Sequence, residues 1–341
     1  MRAARIFEDL SLRLVDVPTP VPGPGEVLVR VHAAGVCGTD LHILDGMIKP
    51  DPYPMTLGHE AAGVVAVTGE GAGLQAGDRV AVYNKHFCGW CEQCLAGRPN
   101  ICDREPGQLG FNTDGGDAEY LVVPERNLVP VPDTVDFATA AVLSCAGMTA
   151  VHAAKLSVLR LGQTAVVNGI GGVGILVTQA ARHAGARVIA VADSADKRQL
   201  ALEHGATDGV IAAVPEDYED LPAAVRELTG GRGADVFFDL VGTTGSMTAG
   251  IRCLAKRGRL VCTGYTDQSL SVHPIEFILS ETSLVATVAA TRQDLVDALG
   301  LAASGAMTVP IAGRFPLDGV DGALDALRKR GVLGRQILDL A

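Results

Sequence analysis

The sequence predicts a two-part α/β protein, a β-rich first part followed by a doubly wound parallel sheet. Three observations predict it. Alternating apolar stretches cut by Pro and Gly clusters fill the first third of the chain. From about residue 149 strand patterns and helix patterns take turns. A G-x-G-x-x-G turn joins the first of those strands to the first of those helices. At 341 residues the chain is long enough to bury two cores.

Taken in order, Glu26–His32 and Ala62–Val67 alternate as half-buried strands do, and Pro18–Gly25 and Gly69–Gly77 interrupt them. Thr164–Val167 is a short apolar strand, Val173–Ala184 has helical spacing and Val188–Ala192 is a second strand. A helix over Asp196–His204 stops at Gly205. The acidic run Glu216–Asp220 reads as a solvated helix start. Apolar runs at Val236–Leu240, Arg259–Thr263 and Ser283–Ala289 continue the alternation, which is the order of a parallel sheet. A helix near Gln293–Ala303 and a strand at Gln336–Leu340 return to the first part. The expected divisions are 1–148, 149–288 and 289–341.

The formal net charge of -11 argues against nucleic acid, whose phosphates need a basic face. No apolar run approaches the roughly 18 residues of a membrane span, and no secretory h-region opens the chain. The expected location is the cytoplasm.

Four cysteines, Cys88, Cys91, Cys94 and Cys102, are spaced C-x2-C-x2-C-x7-C. Two residues between thiols let neighbouring sulfurs face one point, and Gly89, Gly97 and Pro99 supply the turns. Four thiolates around a structural zinc explain this pattern. A disulfide cluster fits worse in a reducing compartment.

Gly169-Ile170-Gly171-Gly172-Val173-Gly174 follows the strand that ends at Asn168. Gly169 permits the turn, Gly171 lets backbone approach a pyrophosphate, and Gly174 lets the helix pack on the strand. This is a Rossmann-type dinucleotide signature. Asp193 ends the second strand, where a carboxylate accepts hydrogen bonds from the adenosine ribose and favours NAD over NADP. Its alternative role is a helix N-cap. Arg198 is a candidate cofactor contact; with Lys197 it either softens the NAD preference or forms a solvated helix face.

A second metal set is suggested by Cys37 in G-V-C-G-T-D-L-H (35–42), by His59 in G-H-E (58–60) and by Cys145. Two cysteines and one histidine with an open fourth position form a known catalytic zinc set. Spacing alone leaves open that these are buried core residues.

These motifs, in this order, resemble the zinc-dependent alcohol dehydrogenases of the medium-chain dehydrogenase/reductase superfamily over essentially the whole chain. The resemblance implies a GroES-like first domain, a Rossmann second domain and an active site in the cleft between them. It implies that Cys37, His59 and Cys145 hold a catalytic zinc. Glu60 is then a neighbouring acid able to approach the metal, and Asp40 a carboxylate that orients the histidine. It further implies that Val173 backs the nicotinamide, that Thr149 lies beside it and that Arg335 reaches the pyrophosphate. Gly38 stands where some members carry a cation against the phosphates, so dinucleotide release is expected to be faster. A homodimer or homotetramer is implied as well.

The mechanism this predicts is hydride transfer from a zinc-bound alkoxide to NAD. Its proton leaves through Thr39, the cofactor ribose and His42. Tyr83 and Asn84 fall where the family lines its substrate pocket, and an inward asparagine there would favour a polar substrate. Cys253 and Cys262 read as inert core thiols. The expected substrate is a simple primary or secondary alcohol, or its aldehyde or ketone. A polyol, sugar or L-threonine-type dehydrogenase is the nearest alternative. A zinc-free quinone reductase and a catalytically silent zinc- and dinucleotide-binding protein are the others.

Overall fold

The computed structural model describes residues 1–211 and 217–340; Glu216, at the head of the expected acidic helix start, lies outside them. The helix beyond it runs Asp217–Leu228. The chain forms two compact units, one of residues 1–148 with 290–341 and one of residues 149–289.

The first unit is β-rich. Among its described residues a seven-stranded sheet centres on Glu26–Val36, whose eleven residues are long enough to serve three partners. Ala61–Thr68 pairs along one edge of it. Tyr120–Pro124 takes its first half and Arg335–Asp339 its second, both antiparallel. Valines at alternate positions, among them Val27, Val29, Val31, Val80, Val82 and Val123, close one core with Leu109 and Leu128. The register that sets Gln336 against Val36 brings Arg335 level with Cys37.

Among its described residues the second unit holds a six-stranded sheet, parallel throughout. Its order is Asp208–Ile211, Arg187–Ala192, Thr164–Asn168, Ala234–Asp239, Leu254–Cys262 and Ser283–Ala286. The earliest strand in sequence is third in space, so the order reverses between Thr164–Asn168 and Ala234–Asp239. That switch point is where doubly wound sheets bind ligands. The strand expected over 283–289 is shorter: it ends at Ala286, just after its last pairing with Cys262, and Ala289 adopts φ 45°.

Phe137–Ser157 forms 21 consecutive helical residues with a mean hydropathy of 1.5, long and apolar enough to cross a membrane by length and composition. The sequence-based expectation that nothing approached that length is therefore corrected. Sixty-seven per cent of its most apolar window is buried inside the protein, which marks a core helix.

Candidate metal and dinucleotide sites

Cys37 leaves the long central strand and caps the helix Gly38–Leu44. Asp40, three residues on, returns Oδ2 to the Cys37 backbone N–H at 2.8 Å, which closes a capping box. Its other oxygen, Oδ1, stands 3.2 Å from His59 Nδ1. Asp40 and His59 are 1% and 3% exposed, so this carboxylate fixes both a metal-type cysteine and a metal-type histidine out of water. With Nδ1 turned to Asp40, Nε2 is the nitrogen left to bind a metal. Phe111 meets the His59 ring edge-on with centroids 5.8 Å apart.

Cys145 lies in the π-helical turn Leu143–Gly147 inside the long apolar helix. A π turn re-aims a side chain that a regular helix would point elsewhere. The candidate ligand atoms of Cys37, His59, Glu60 and Cys145 all lie within 4.8 Å of one another. Cys145 donates toward Cys37, which lowers the Cys37 thiol well below its ordinary range and raises Cys145 well above it. Burial opposes charge on His59, but Asp40 and the Cys37 thiolate outweigh it and raise the imidazole well above its usual value.

Glu60 has no exposed surface, and burial pushes its carboxyl up to about 7 against the pull of Arg335. Arg335 binds both carboxylate oxygens of Glu60 and is held charged by it. Residue 35 must be glycine here, because a Cβ on Gly35 would overlap the Glu60 carboxylate. Sequence reasoning connected neither Gly35 nor Arg335 with Glu60. Thr39 Oγ1 is 3.7 Å from Cys37 Sγ. His42, one helical turn beyond, sets Nδ1 3.0 Å from Met47 Sδ. Tyr83 and Asn84 are both buried. The Tyr83 hydroxyl donates to the Ala290 carbonyl at 2.8 Å, whereas Asn84 Oδ1 has no partner.

The four-cysteine lobe forms a second donor set within 4.8 Å. Its sulfurs are 3.9 Å apart for Cys88–Cys94 and 3.8 Å for Cys91–Cys102. A tetrahedron with Zn–S of about 2.3 Å has edges of about 3.8 Å. All eight cysteines are free thiols, which excludes the disulfide alternative. Backbone N–H groups already face the sulfurs, Cys91 to Cys88 at 3.3 Å and Arg104 to Cys102 at 3.4 Å. Desolvation pushes the Cys88 thiol up, but N–H groups of Trp90 and Cys91 bring it to about 6, while burial lifts Cys94 to about 12. The donor sets of both clusters fit zinc. Burial lifts the Cys253 and Cys262 thiols to about 12 and about 11, which leaves both unreactive.

In the second unit Gly169 turns at φ 98° directly after the Thr164–Asn168 strand. A Cβ on Gly174 would strike the Gly169 carbonyl, so that glycine is fixed by packing. A Cβ on Gly171 would meet nothing within 4 Å, so the packing of the chain itself does not demand glycine there. Gly172 and Val173 complete the turn before the buried helix Gly174–His183. Thr149 is half-buried in the helix Met148–Ser157.

Asp193 follows the Arg187–Ala192 strand, but it is not the N-cap of the next helix. Ser194 is, accepting from the Lys197 N–H. Lys197 and Arg198 are not a solvated face either. Lys197 Nζ pairs with Asp193 Oδ2 at 2.8 Å, and Arg198 Nε donates to the Gly209 carbonyl at 3.1 Å.

Two family models match, the alcohol dehydrogenase GroES-like domain over residues 23–133 and the zinc-binding dehydrogenase over residues 172–304. An NAD-dependent alcohol dehydrogenase of Sulfurisphaera tokodaii is 33% identical, with 99% of each chain covered. The crystal structure of an NAD-dependent alcohol dehydrogenase superposes with TM-score 0.93 at 32% identity, covering 100% of both chains. That of a D-arabinose dehydrogenase from Sulfolobus solfataricus gives TM-score 0.86 at 28% identity, covering 99% of this chain and 98% of that one.

Proposed function

Because the chain belongs to the zinc-dependent alcohol dehydrogenases of the medium-chain dehydrogenase/reductase superfamily, we propose that it transfers hydride between a primary or secondary alcohol and NAD. Its cofactors are NAD and two zinc ions. The observation that carries the reading is the convergence of Cys37, His59 and Cys145, with Glu60 drawn off to Arg335. Three protein donors remain, which is the ligand count of a catalytic zinc with room for substrate. Cys88, Cys91, Cys94 and Cys102 hold the second ion as a closed structural site.

Cys37, His59 and Cys145 would hold a zinc ion whose Lewis acidity would lower the pKa of the substrate hydroxyl and so favour hydride release near neutral pH. The residues of the chain do the rest. Asp40 keeps the His59 ring and the Cys37 loop in register. Thr39, close to Cys37, relays the hydroxyl proton to the cofactor ribose, and His42 at the outer end of the relay passes it on to solvent. Val173 and Thr149 bound the nicotinamide, and Gly169, Gly171, Gly172 and Gly174 carry the pyrophosphate.

The buried Asn84 amide, with Oδ1 unpartnered, supports a second reading in which the substrate carries further hydroxyls, as a polyol or sugar does. The D-arabinose dehydrogenase likeness points the same way. Subunit association is supported by the open edge strand Ser283–Ala286. Leu284 there is 40% exposed, and Ile278 and Leu279 nearby are 70% and 72% exposed.

A steady-state panel of primary alcohols, secondary alcohols, polyols and aldoses, with NADH absorbance as readout, tests the function. Turnover of simple alcohols supports the first reading and preference for polyols the second. No turnover with two zinc ions bound would leave a silent binding protein.

A further inference from the structure

The adenosine end of the dinucleotide site differs from what a lone Asp193 would create. Asp193 is the first residue past its strand, and its carboxylate is 42% exposed. A bare carboxylate in that place repels a ribose 2'-phosphate and selects NAD. Here Lys197 Nζ stands 2.8 Å from Asp193 Oδ2. The Lys197 side chain is only 13% exposed, far more covered than a lysine on a solvated face. Arg198 lies against Gly209, where a Cβ would come within 2.7 Å of its Cγ, and its Nε is fixed on the Gly209 carbonyl. The remaining charge of this turn is Asp196, which is exposed. Two cations therefore balance two carboxylates within six residues, 193 to 198.

From this arrangement we infer that the site admits the 2'-phosphate, so that NADP serves beside NAD, and that Lys197 sets the ratio between them. With NAD, Lys197 fixes the Asp193 carboxylate through Oδ2 for hydrogen bonds from the ribose hydroxyls. With NADP, the same ammonium faces the phosphate. A lysine is a compact charge on a flexible four-carbon stem, so a small swing moves it from carboxylate to phosphate. The guanidinium of Arg198 adds a second positive group on the same helix turn. The chemical step is unchanged, because the 2' position is remote from the nicotinamide. The inference rests on the reading of Gly169–Gly174 and Asp193 as the dinucleotide site.

Two measurements test it. Binding of ADP-ribose and of 2'-phospho-ADP-ribose is titrated into the wild-type protein, and kcat/KM is measured with NAD and NADP for wild type, Lys197→Met and Lys197→Arg. We expect both nucleotides to bind, with wild-type NAD:NADP selectivity below about 100-fold. Lys197→Met should raise that selectivity about tenfold or more through loss of NADP, and Lys197→Arg should largely restore the wild-type ratio. Binding of ADP-ribose without its 2'-phospho form overturns the inference and leaves the dinucleotide site standing. Unaltered selectivity in Lys197→Met also overturns it. Binding of neither nucleotide refutes the dinucleotide reading itself. The wild-type titration decides the matter even if a variant fails to fold.

Discussion

Asp40 reaches both His59 and Cys37, one oxygen 3.2 Å from the imidazole Nδ1 and the other 2.8 Å from the Cys37 backbone N–H. A single buried carboxylate thus aims two proposed zinc ligands that are 22 positions apart in the sequence. Asp40→Asn keeps an oxygen for the helix cap but removes the charge that orients the ring. Zinc affinity at this site should fall about 10- to 100-fold, with helix content unchanged. Competition against a graded chelator measures it, and unaltered affinity would remove Asp40 from the metal site.

Uptake of this zinc should strengthen as pH rises. In the metal-free site the Cys145 thiol, hydrogen-bonded to Cys37 and buried, holds its proton well above the ordinary thiol range. His59 holds its own as well, since Asp40 and Cys37 outweigh burial. Both must become proton-free ligands, whereas Cys37, lowered well below the ordinary thiol range by the Cys145 hydrogen bond, gives up its proton most readily. Binding therefore releases up to about two protons, and affinity keeps rising with pH for as long as the pH lies below the raised Cys145 and His59 values. Calorimetry in buffers of different ionisation enthalpy counts them. Zinc uptake without proton release would contradict the assigned protonation states.

Much of this was legible in the chain itself, for identifiable reasons. Cys88 to Cys102 declare a metal lobe because short spacing alone confines their sulfurs. Gly169 to Gly174 declare a turn because each glycine answers a local demand. Arg335 was read as a phosphate ligand, but its buried pairing with Glu60 depends on cross-strand register, which no local pattern encodes. The π turn that aims Cys145 was hidden in the same way, since Leu143–Gly147 reads as ordinary helix. The acidic run at 216–220 marks the start of the helix Asp217–Leu228, but its extent is not legible because Pro222 stands inside it. Both readings of Lys197 stay open in the sequence because it cannot tell an exposed lysine from one folded back onto Asp193.

Gly35→Ala should destabilise the first unit. The added methyl would overlap the Glu60 carboxylate, which has no room to retreat while Arg335 grips both its oxygens. Overpacking at such a site costs about 1–3 kcal/mol. Denaturant unfolding measures the loss. Wild-type stability in this variant would mean that Glu60 is free to move.

If the Ser283–Ala286 edge pairs with a second copy of the chain, Leu284→Lys should dissociate the assembly. A lysine on an edge strand blocks strand addition at little cost to the monomer. Sedimentation velocity should show a shift to monomer with the fold intact by circular dichroism. An unchanged sedimentation coefficient would place the subunit contact elsewhere.

The two zinc sites should fail in different ways. Cys145→Ala removes one of three protein donors from a site that needs all three, so the chain should retain about one zinc and lose turnover. NADH should still bind, because Gly169–Gly174 belongs to the other compact unit. Cys94→Ser removes one of four sulfurs from a closed cluster whose backbone N–H groups face the remaining thiolates. The lobe then loses the metal that orders residues 88–102, and thermal stability should drop before any change in kcat. Metal analysis, NADH fluorescence and thermal melting on the two variants separate the roles. Full activity in Cys145→Ala would disprove its role as a ligand. An unchanged melting temperature in Cys94→Ser would mean that the lobe holds its shape without four thiolates.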